Sequence, residues 1–305
     1  MSGMTDQTRK GKGKKKFSVS TLLLILMFTL GIGLLLYPPL AQAWNRKNAT
    51  RMVASYETSV EEMDNSALAQ LRSAAIRYNR TLPDRTDIFS DEYEQSEEYQ
   101  NLLKTDPSGQ MGVIEIPSID VKLPVYHGVN QDVLAAGIGH MPSTSIPIGG
   151  KGTHAVLTGH SGLPSAELFT HLDQVQIGET FELHVLGETL TYQVDQINIV
   201  KPWETELLAI DPDQDYVTLV TCTPYGINTE RLLVRGKRVT DDVLPYAGLI
   251  PNEAIRIPPW ICALILTVLA AILVFGLMFY RQNQKARRRK ILKDSGFEEL
   301  SRKSR

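Results

Sequence analysis

Cys222 and Arg231, nine positions apart in the stretch LVTCTPYGINTERLLVRG (residues 219–236), are residue types that could together perform thiol chemistry. A thiolate is a nucleophile. An arginine, whose pKa stays above about 12, cannot exchange the catalytic proton; its available task is to hold a carbonyl or stabilise an oxyanion. The proton donor and acceptor must come from elsewhere, and histidine is the usual supplier. Of the six histidines, His160 is the best candidate, because AVLTGHSG has the layout of TLVTC: an apolar strand, a threonine near its end and a reactive residue opening a loop. Thr221, beside the cysteine, and His140, after GIG, are candidate substrate-binding residues. His154, His171 and His184 fall at a strand start, in a helical stretch and in mid-strand, and read as structural, while His127, in the YHG turn, fits a structural and a functional role equally well. On spacing alone the duller alternative stays open, since a free cysteine is most often a small buried hydrophobe and one Cys with one His is a weak signal.

Other chemistries find little support. No histidine pair has the HExxH spacing and there is no CxxC, so no metal site is expected. No glycine-rich phosphate loop lies between a strand and a helix, and no cofactor is expected.

The elements that would position the trio are short β-branched runs punctuated by Gly and Pro. GVIEIP, VKLPVYHG, THAVLTGH, ETFELHVLG, ETLTYQVDQINIV, DYVTLVTC and RLLVRGKRV give about seven strand candidates. VLGET (185–189) reads as a hairpin, and helical stretches are expected only near DVLAAGIG and SAELFTHLD. If DYVTLVTC and ERLLVRG pair across TPYGINT, Cys222 and Arg231 face each other at the mouth of that loop. The pattern predicts a mostly β fold, a closed or nearly closed barrel with short helical crossovers. Residues 44–80 lack Pro and Gly and carry apolar residues at helical spacing, predicting one or two helices. The acidic stretch 84–110 reads as a solvated linker.

The net charge of -2 averages unlike regions. Residues 1–16 carry six Lys/Arg against one acid, and 281–305 carry ten against three. The middle therefore has 32 − 16 = 16 basic and 34 − 4 = 30 acidic residues, a net of -14, which disfavours a nucleic-acid partner. Phe17–Tyr37 and Trp260–Tyr280 are uncharged runs near the ~20 residues that cross a bilayer as a helix. Both have Trp or Tyr at their borders, and the flanking basic clusters predict two cytoplasmic termini and an exported middle. AQA at 41–43 offers a rival, a cleaved signal peptide, although the apolar run exceeds the usual core. The exported region then holds one thiol, Cys222, because Cys262 sits in the second run.

TLVTCTPYGINTERLLVRGKRV resembles the TLxTC…R signature of sortases, the membrane-anchored cysteine transpeptidases of Gram-positive bacteria. GVIEIPSIDVKLPVYHG, GIGHMPSTSIPIGGKGTHAVLTGHSGLPSAELFTHLD and GETLTYQVDQINIV resemble the class C, pilin-polymerising branch, so the likeness covers about residues 111–240. It implies an eight-stranded barrel, Cys222 as nucleophile, His160 as general acid/base and Arg231 as stabiliser. The implied reaction cleaves an LPXTG-like sorting signal between Thr and Gly through a thioacyl enzyme, then joins the acyl group to a lysine of the next pilin. The implied partners are pilin or surface proteins with such signals and the lipid bilayer. Class C members carry a lid with an Asp-Pro-aromatic motif; here Asp87-Ile88-Phe89 is its counterpart, without the proline, making Asp87 and Phe89 the expected lid residues. TDPSG (105–109) has an Asp-Pro but no aromatic.

The expected organisation is a basic tail (1–16), a transmembrane helix or signal anchor (17–40), a helical segment (44–82), lid and linker (83–110), barrel (111–240), linker (241–259), transmembrane helix (260–280) and basic tail (281–305). Rival functions are a housekeeping-type sortase attaching surface proteins to peptidoglycan, a non-catalytic pilin scaffold, and a papain-like protease, whose cysteine would open a helix rather than end a strand. LPYAG (244–248) looks like a sorting signal but has Ala247 in place of threonine, and is read as linker.

Overall fold

Alternation along the strands decides which residues enter the core. In β7 (Asp215–Thr223), Val217, Leu219 and Thr221 point inward, while Thr218, Val220 and Cys222 lie on the outer face. In β4 (Thr153–Thr158), Ala155 and Leu157 point inward and Val156 outward. The computed structural model, which describes residues 19–82, 94–239 and 259–294, shows eight such strands. The others are β1 (Gln110–Ile116), β2 (Val121–His127), β3 (Ile138–His140), β5 (Thr180–Val185), β6 (Glu188–Val200) and β8 (Glu230–Arg238). They form a closed barrel in the order β1-β2-β3-β4-β7-β8-β6-β5. Closure leaves no open sheet edge, and Phe169, Phe181 and Tyr192 fill the interior with aliphatic neighbours. Each fully buried large aliphatic or Phe contributes about 1.5–3 kcal/mol.

Two pairings matter most for the site. β4 and β7 are parallel, with Thr158 opposite Val220, and β7 and β8 are antiparallel, with Cys222 opposite Arg231. The VLGET segment is a hairpin with Val185 opposite Glu188, and its two turn residues, Leu186 and Gly187, have φ of 50° and 80°. That is the twist a two-residue hairpin requires. Leu186 tolerates it because its side chain is buried and its N–H donates to Tyr56 Oη at 3.0 Å.

Several sequence expectations need correction. The barrel has the eight strands that the resemblance implies, while the direct count of about seven runs lacks β3, which is only three residues long and follows the helix Gln131–Ala136 within what reads as one helical stretch. SAELFTHLD is not an α-helix; it holds a single 3₁₀ turn at Leu172–Gln174, pinned by buried Phe169 and Leu172. Part of the supposed solvated linker is core: Tyr99, in a short helix at Glu97–Asn101, and Leu103 are both 0% exposed. Pro124 is tolerated inside β2 because β3 pairs only from Val125 onward.

The chain divides into two compact units, 36–249 and a second made of 1–35 with 250–305. Two long helices contribute to the second: α1 (Val19–Glu62), which continues into the first, and the C-terminal helix Pro259–Asp294. The expected break between a span and a separate helical segment is absent, since α1 runs through Pro38 and Pro39. Among the described residues, one helix, over Leu23–Glu62, is long and apolar enough to cross a membrane. Within the first unit, α1 lays Val53, Tyr56 and Val60 against Val113 on the outer face of β1. The helix Asn65–Thr81, capped by Asp64, follows.

Candidate active site

Cys222 is the last residue but one of β7, is partly exposed and carries a free thiol. The turn that follows begins with a cis Thr223–Pro224 peptide and is closed by the N–H groups of Ile227 and Asn228 donating to the Pro224 carbonyl. Gly226 and Asn228 supply the left-handed residues that reverse the chain, with φ of 74° and 61°. Arg231 then comes back level with Cys222 on the same outer face. Its Nη1 donates to the carbonyls of Asn228 (3.2 Å) and Glu230 (2.9 Å), which anchors the guanidinium to the turn. The neighbouring Glu230 pairs with Lys201 at 2.7 Å, tying the start of β8 to the loop that leaves β6.

His160 follows β4 on the other side of Cys222. The parallel register continues one step beyond the strand, where the Gly159 N–H donates to the Val220 carbonyl at 3.0 Å. Thr221 Oγ1 donates to the Gly159 carbonyl at 2.7 Å. Gly159 sits over the core, where a Cβ would stand 2.7 Å from Ile138 and Phe169. Only glycine fits there, and the next residue, His160, turns to the outer side, level with Cys222. The His160 carbonyl accepts from the Phe169 N–H at 3.1 Å, fixing its backbone from the far side. The ring is half-buried, makes no hydrogen bond among the described residues, and burial pushes its pKa down. The loops after His160 and Cys222 meet, since a Cβ on Gly162 would stand 3.1 Å from the Tyr225 ring.

The structure thus brings Cys222, His160 and Arg231 to one end of the barrel on one face. An apolar floor continues from them: Val156, Val220 and Leu233, with Met141, Val200, Leu207 and Leu208 packed on it. A thiol, an unencumbered imidazole and a fixed cation along an apolar surface suit acyl transfer from an extended peptide.

The two candidate substrate-binding residues lie elsewhere. Thr221 faces inward and positions Gly159, and hence His160, through the bond above. His140 is fully buried, with Nε2 donating to the Ser145 carbonyl at 2.8 Å and Nδ1 3.0 Å from Tyr99 Oη. Burial drives its pKa down to about 3, so it is a neutral core group. Asp87 and Phe89 lie outside the described residues. Asp106, of the alternative Asp-Pro, accepts from the Ser108 N–H in an exposed turn. Sequence reasoning missed the anchoring task of Thr221 and the packing of Leu207 and Leu208; no motif flags either.

A sortase domain family model matches residues 114–239. The fold resembles sortase C1 of Streptococcus agalactiae, at 45% identity and a TM-score of 0.59, over 63% of this chain and all of that one. It also resembles a Streptococcus pneumoniae sortase C described for its catalysis and pilin substrate specificity, at 42% identity and a TM-score of 0.58, over 62% of this chain and 97% of that one. By sequence it is 27% identical to Sortase D of Bacillus subtilis over 45% of this chain and 68% of that protein. It is 31% identical to Sortase A of Streptococcus agalactiae over 42% of this chain, and spans about half, 52%, of that relative. With the thiol, the histidine and the arginine assembled on this barrel, the chain belongs to the sortase family of cysteine transpeptidases, and its structural neighbours are class C sortases.

Proposed function

We propose that the protein is a membrane-anchored pilin transpeptidase. The observation that carries this reading is the alignment of three residues across two strand pairings: Cys222 opposite Arg231 on β8, and His160 two residues beyond the last parallel pair, Thr158 and Val220. His160 accepts the Cys222 proton as Sγ attacks the Thr carbonyl of an LPXTG-like signal. Arg231 donates to the oxygen as negative charge develops there. The tetrahedral centre collapses with cleavage of the Thr–Gly bond, and His160 gives its proton to the departing glycine amine. A thioester on Cys222 remains. The ε-amine of a lysine on the next pilin attacks it, passes a proton to His160 and releases the thiol, leaving an isopeptide bond. The likeness to sortase C structures, one of them described for pilin specificity, favours this acceptor. Similarity to Sortase A proteins supports a second reading, attachment of surface proteins to a peptidoglycan amine.

The anchor is α1, whose apolar residues from Leu23 to Leu40 are largely uncovered, as a bilayer-facing helix requires. The run 260–280 forms a second crossing, with both basic tails cytoplasmic and the barrel outside. Asp87 and Phe89 form a lid over the thiol, so Asp87→Ala or Phe89→Ala accelerates alkylation of Cys222.

Mass spectrometry of the full chain mixed with an LPXTG-type peptide tests the chemistry. A Cys222 acyl adduct, discharged by a lysine-bearing pilin peptide and missing in Cys222→Ala, is expected. No adduct at long times, even with the Asp87→Ala lid variant, leaves only a non-catalytic scaffold. Discharge by a peptidoglycan amine but not by lysine selects the second reading.

A further inference from the structure

Large apolar side chains are unevenly distributed over the surface of the barrel. Among the described residues of 94–239, the exposed ones are Ile177, Ile199, Trp203, Tyr225 and Ile227. Four flank the candidate site. Ile199 lies near the end of β6, Trp203 in the loop that leaves it, and Tyr225 and Ile227 in the turn between Cys222 and Arg231. Ile177 precedes β5, whose start pairs with the end of β1 at the same end of the barrel. Within 94–239 the opposite end has none among the described residues, and the helix Asn65–Thr81, tied to that end by Arg72 and Glu188, exposes Ile76 at 37%. Trp203, at 73% exposed, and Ile227, at 68%, are too open to be serving the core.

The same end is bound to α1 just after its apolar run. Asn45 Nδ2 donates to the Ser165 carbonyl at 2.9 Å, in the loop that follows His160. Arg46 pairs with Asp120 at 2.6 Å, in the turn between β1 and β2. Neighbouring Trp44 is 66% exposed. From Tyr37, the last residue of the apolar run, to Asn45 the helix rises only about 12 Å. The headgroup layer on each side of a bilayer is of order 5–8 Å thick. A Trp, a Tyr and aliphatic residues on exposed turns at that height have the composition of a membrane-interface surface.

We propose that the site-bearing end of the barrel rests on the lipid surface, with Trp203 and Ile227 reaching into the headgroup region. The proposal rests on the anchoring reading above. Its consequence is that the groove opens at the height where a sorting signal followed by its own apolar span leaves the bilayer.

The test uses the full chain in vesicles of phosphatidylcholine and phosphatidylglycerol with brominated acyl chains. One variant keeps only Trp203 (Trp44→Phe, Trp260→Phe) and the other only Trp44 (Trp203→Phe, Trp260→Phe). Both tryptophans are expected to be quenched and to emit to the blue of free indole. Quenching of Trp44 with Trp203 untouched overturns the proposal and leaves the anchor standing. Quenching of neither removes both. Trp203 untouched by lipid but shielded by an added pilin subunit assigns the surface to a protein partner instead. In a second measurement, Trp203→Ser combined with Ile227→Ser is expected to lower turnover of a membrane-embedded substrate about tenfold, with turnover of a soluble sorting peptide unchanged. An equal fall for both substrates overturns the proposal.

Discussion

Histidines in two regions of this barrel have opposite fates. In the region under the helix Glu97–Asn101, His127 lies between the Gly109 and Leu102 carbonyls at 3.0 and 2.7 Å, and His140 between Ser145 and Tyr99. Tyr99 Oη also donates to the His140 carbonyl and accepts from the Gly128 N–H. Every ring nitrogen there has a neighbour, and burial holds both histidines below their usual pKa. At the end of β4, His160 is held only by its backbone, and its ring has no hydrogen bond among the described residues. The first arrangement ties the segment before β1 to the barrel. The second leaves a base free for substrate while the strands supply its position.

The largest break in this contrast comes from His160→Asn. Removing the proton carrier is expected to lower kcat/KM for acyl transfer by about 10²–10⁴ with the thermal midpoint unchanged. Burial lowers the His160 pKa, and the neutral ring is the form that accepts the thiol proton. The acid limb of the wild-type profile therefore falls below pH 6.5, as measured by single-turnover acylation. A fall in thermal midpoint as large as that from a core substitution would place His160 with the structural histidines.

Arg231→Lys comes next. Lysine keeps the charge but not the planar fork, and Nη1 can no longer hold the Asn228 and Glu230 carbonyls while the rest of the guanidinium faces substrate. Acylation is expected to slow about 10²-fold, the scale of losing one oxyanion donor, mostly in kcat. A change confined to KM would assign Arg231 to ground-state binding.

On the other side, His140→Gln should leave acylation unchanged and alter the acid stability of the fold. The folded pKa of about 3 lies below the unfolded value of 6.5, so the unfolded chain takes up a proton first as pH falls. Stability from this group is complete above pH 6.5 and declines toward pH 3, by at most about 1.4 kcal/mol per pH unit. Denaturant titrations across that range should show the slope in the wild type and a flatter one in the variant.

This division was only partly legible in the sequence. The facing of Cys222 and Arg231 follows from two β-branched runs joined by a turn rich in Pro, Gly and Asn, because local chemistry sets that register. The place of His160 depends on a parallel pairing between segments about sixty residues apart, which no local pattern specifies; the repeated layout of AVLTGH and TLVTC hinted at it. β3 escaped because three residues cannot display a period. Tyr99 escaped because its acidic neighbours face water while one tyrosine and two leucines carry the burial, and periodicity over so short a stretch carries little information. His140 was misread for the converse reason: a histidine after GIG has the same local signature whether it lines a cleft or seals a core.

Thr221 joins the two regions, and the smallest effect is expected there. Its side chain is buried like those of the Tyr99 network, yet the bond it donates to Gly159 fixes the residue before His160. Thr221→Val keeps the shape and removes the hydroxyl, leaving the Gly159 carbonyl without that donor at a cost of about 1 kcal/mol or somewhat more. If the hydroxyl only stabilises the strand, acylation per folded molecule is unchanged. If it positions His160, kcat falls severalfold with KM constant, and Thr221→Ser, which keeps the donor, restores the rate. The second outcome is expected, because Gly159 has Ile138 and Phe169 against it on the core side and can relax only toward the outer face where His160 stands.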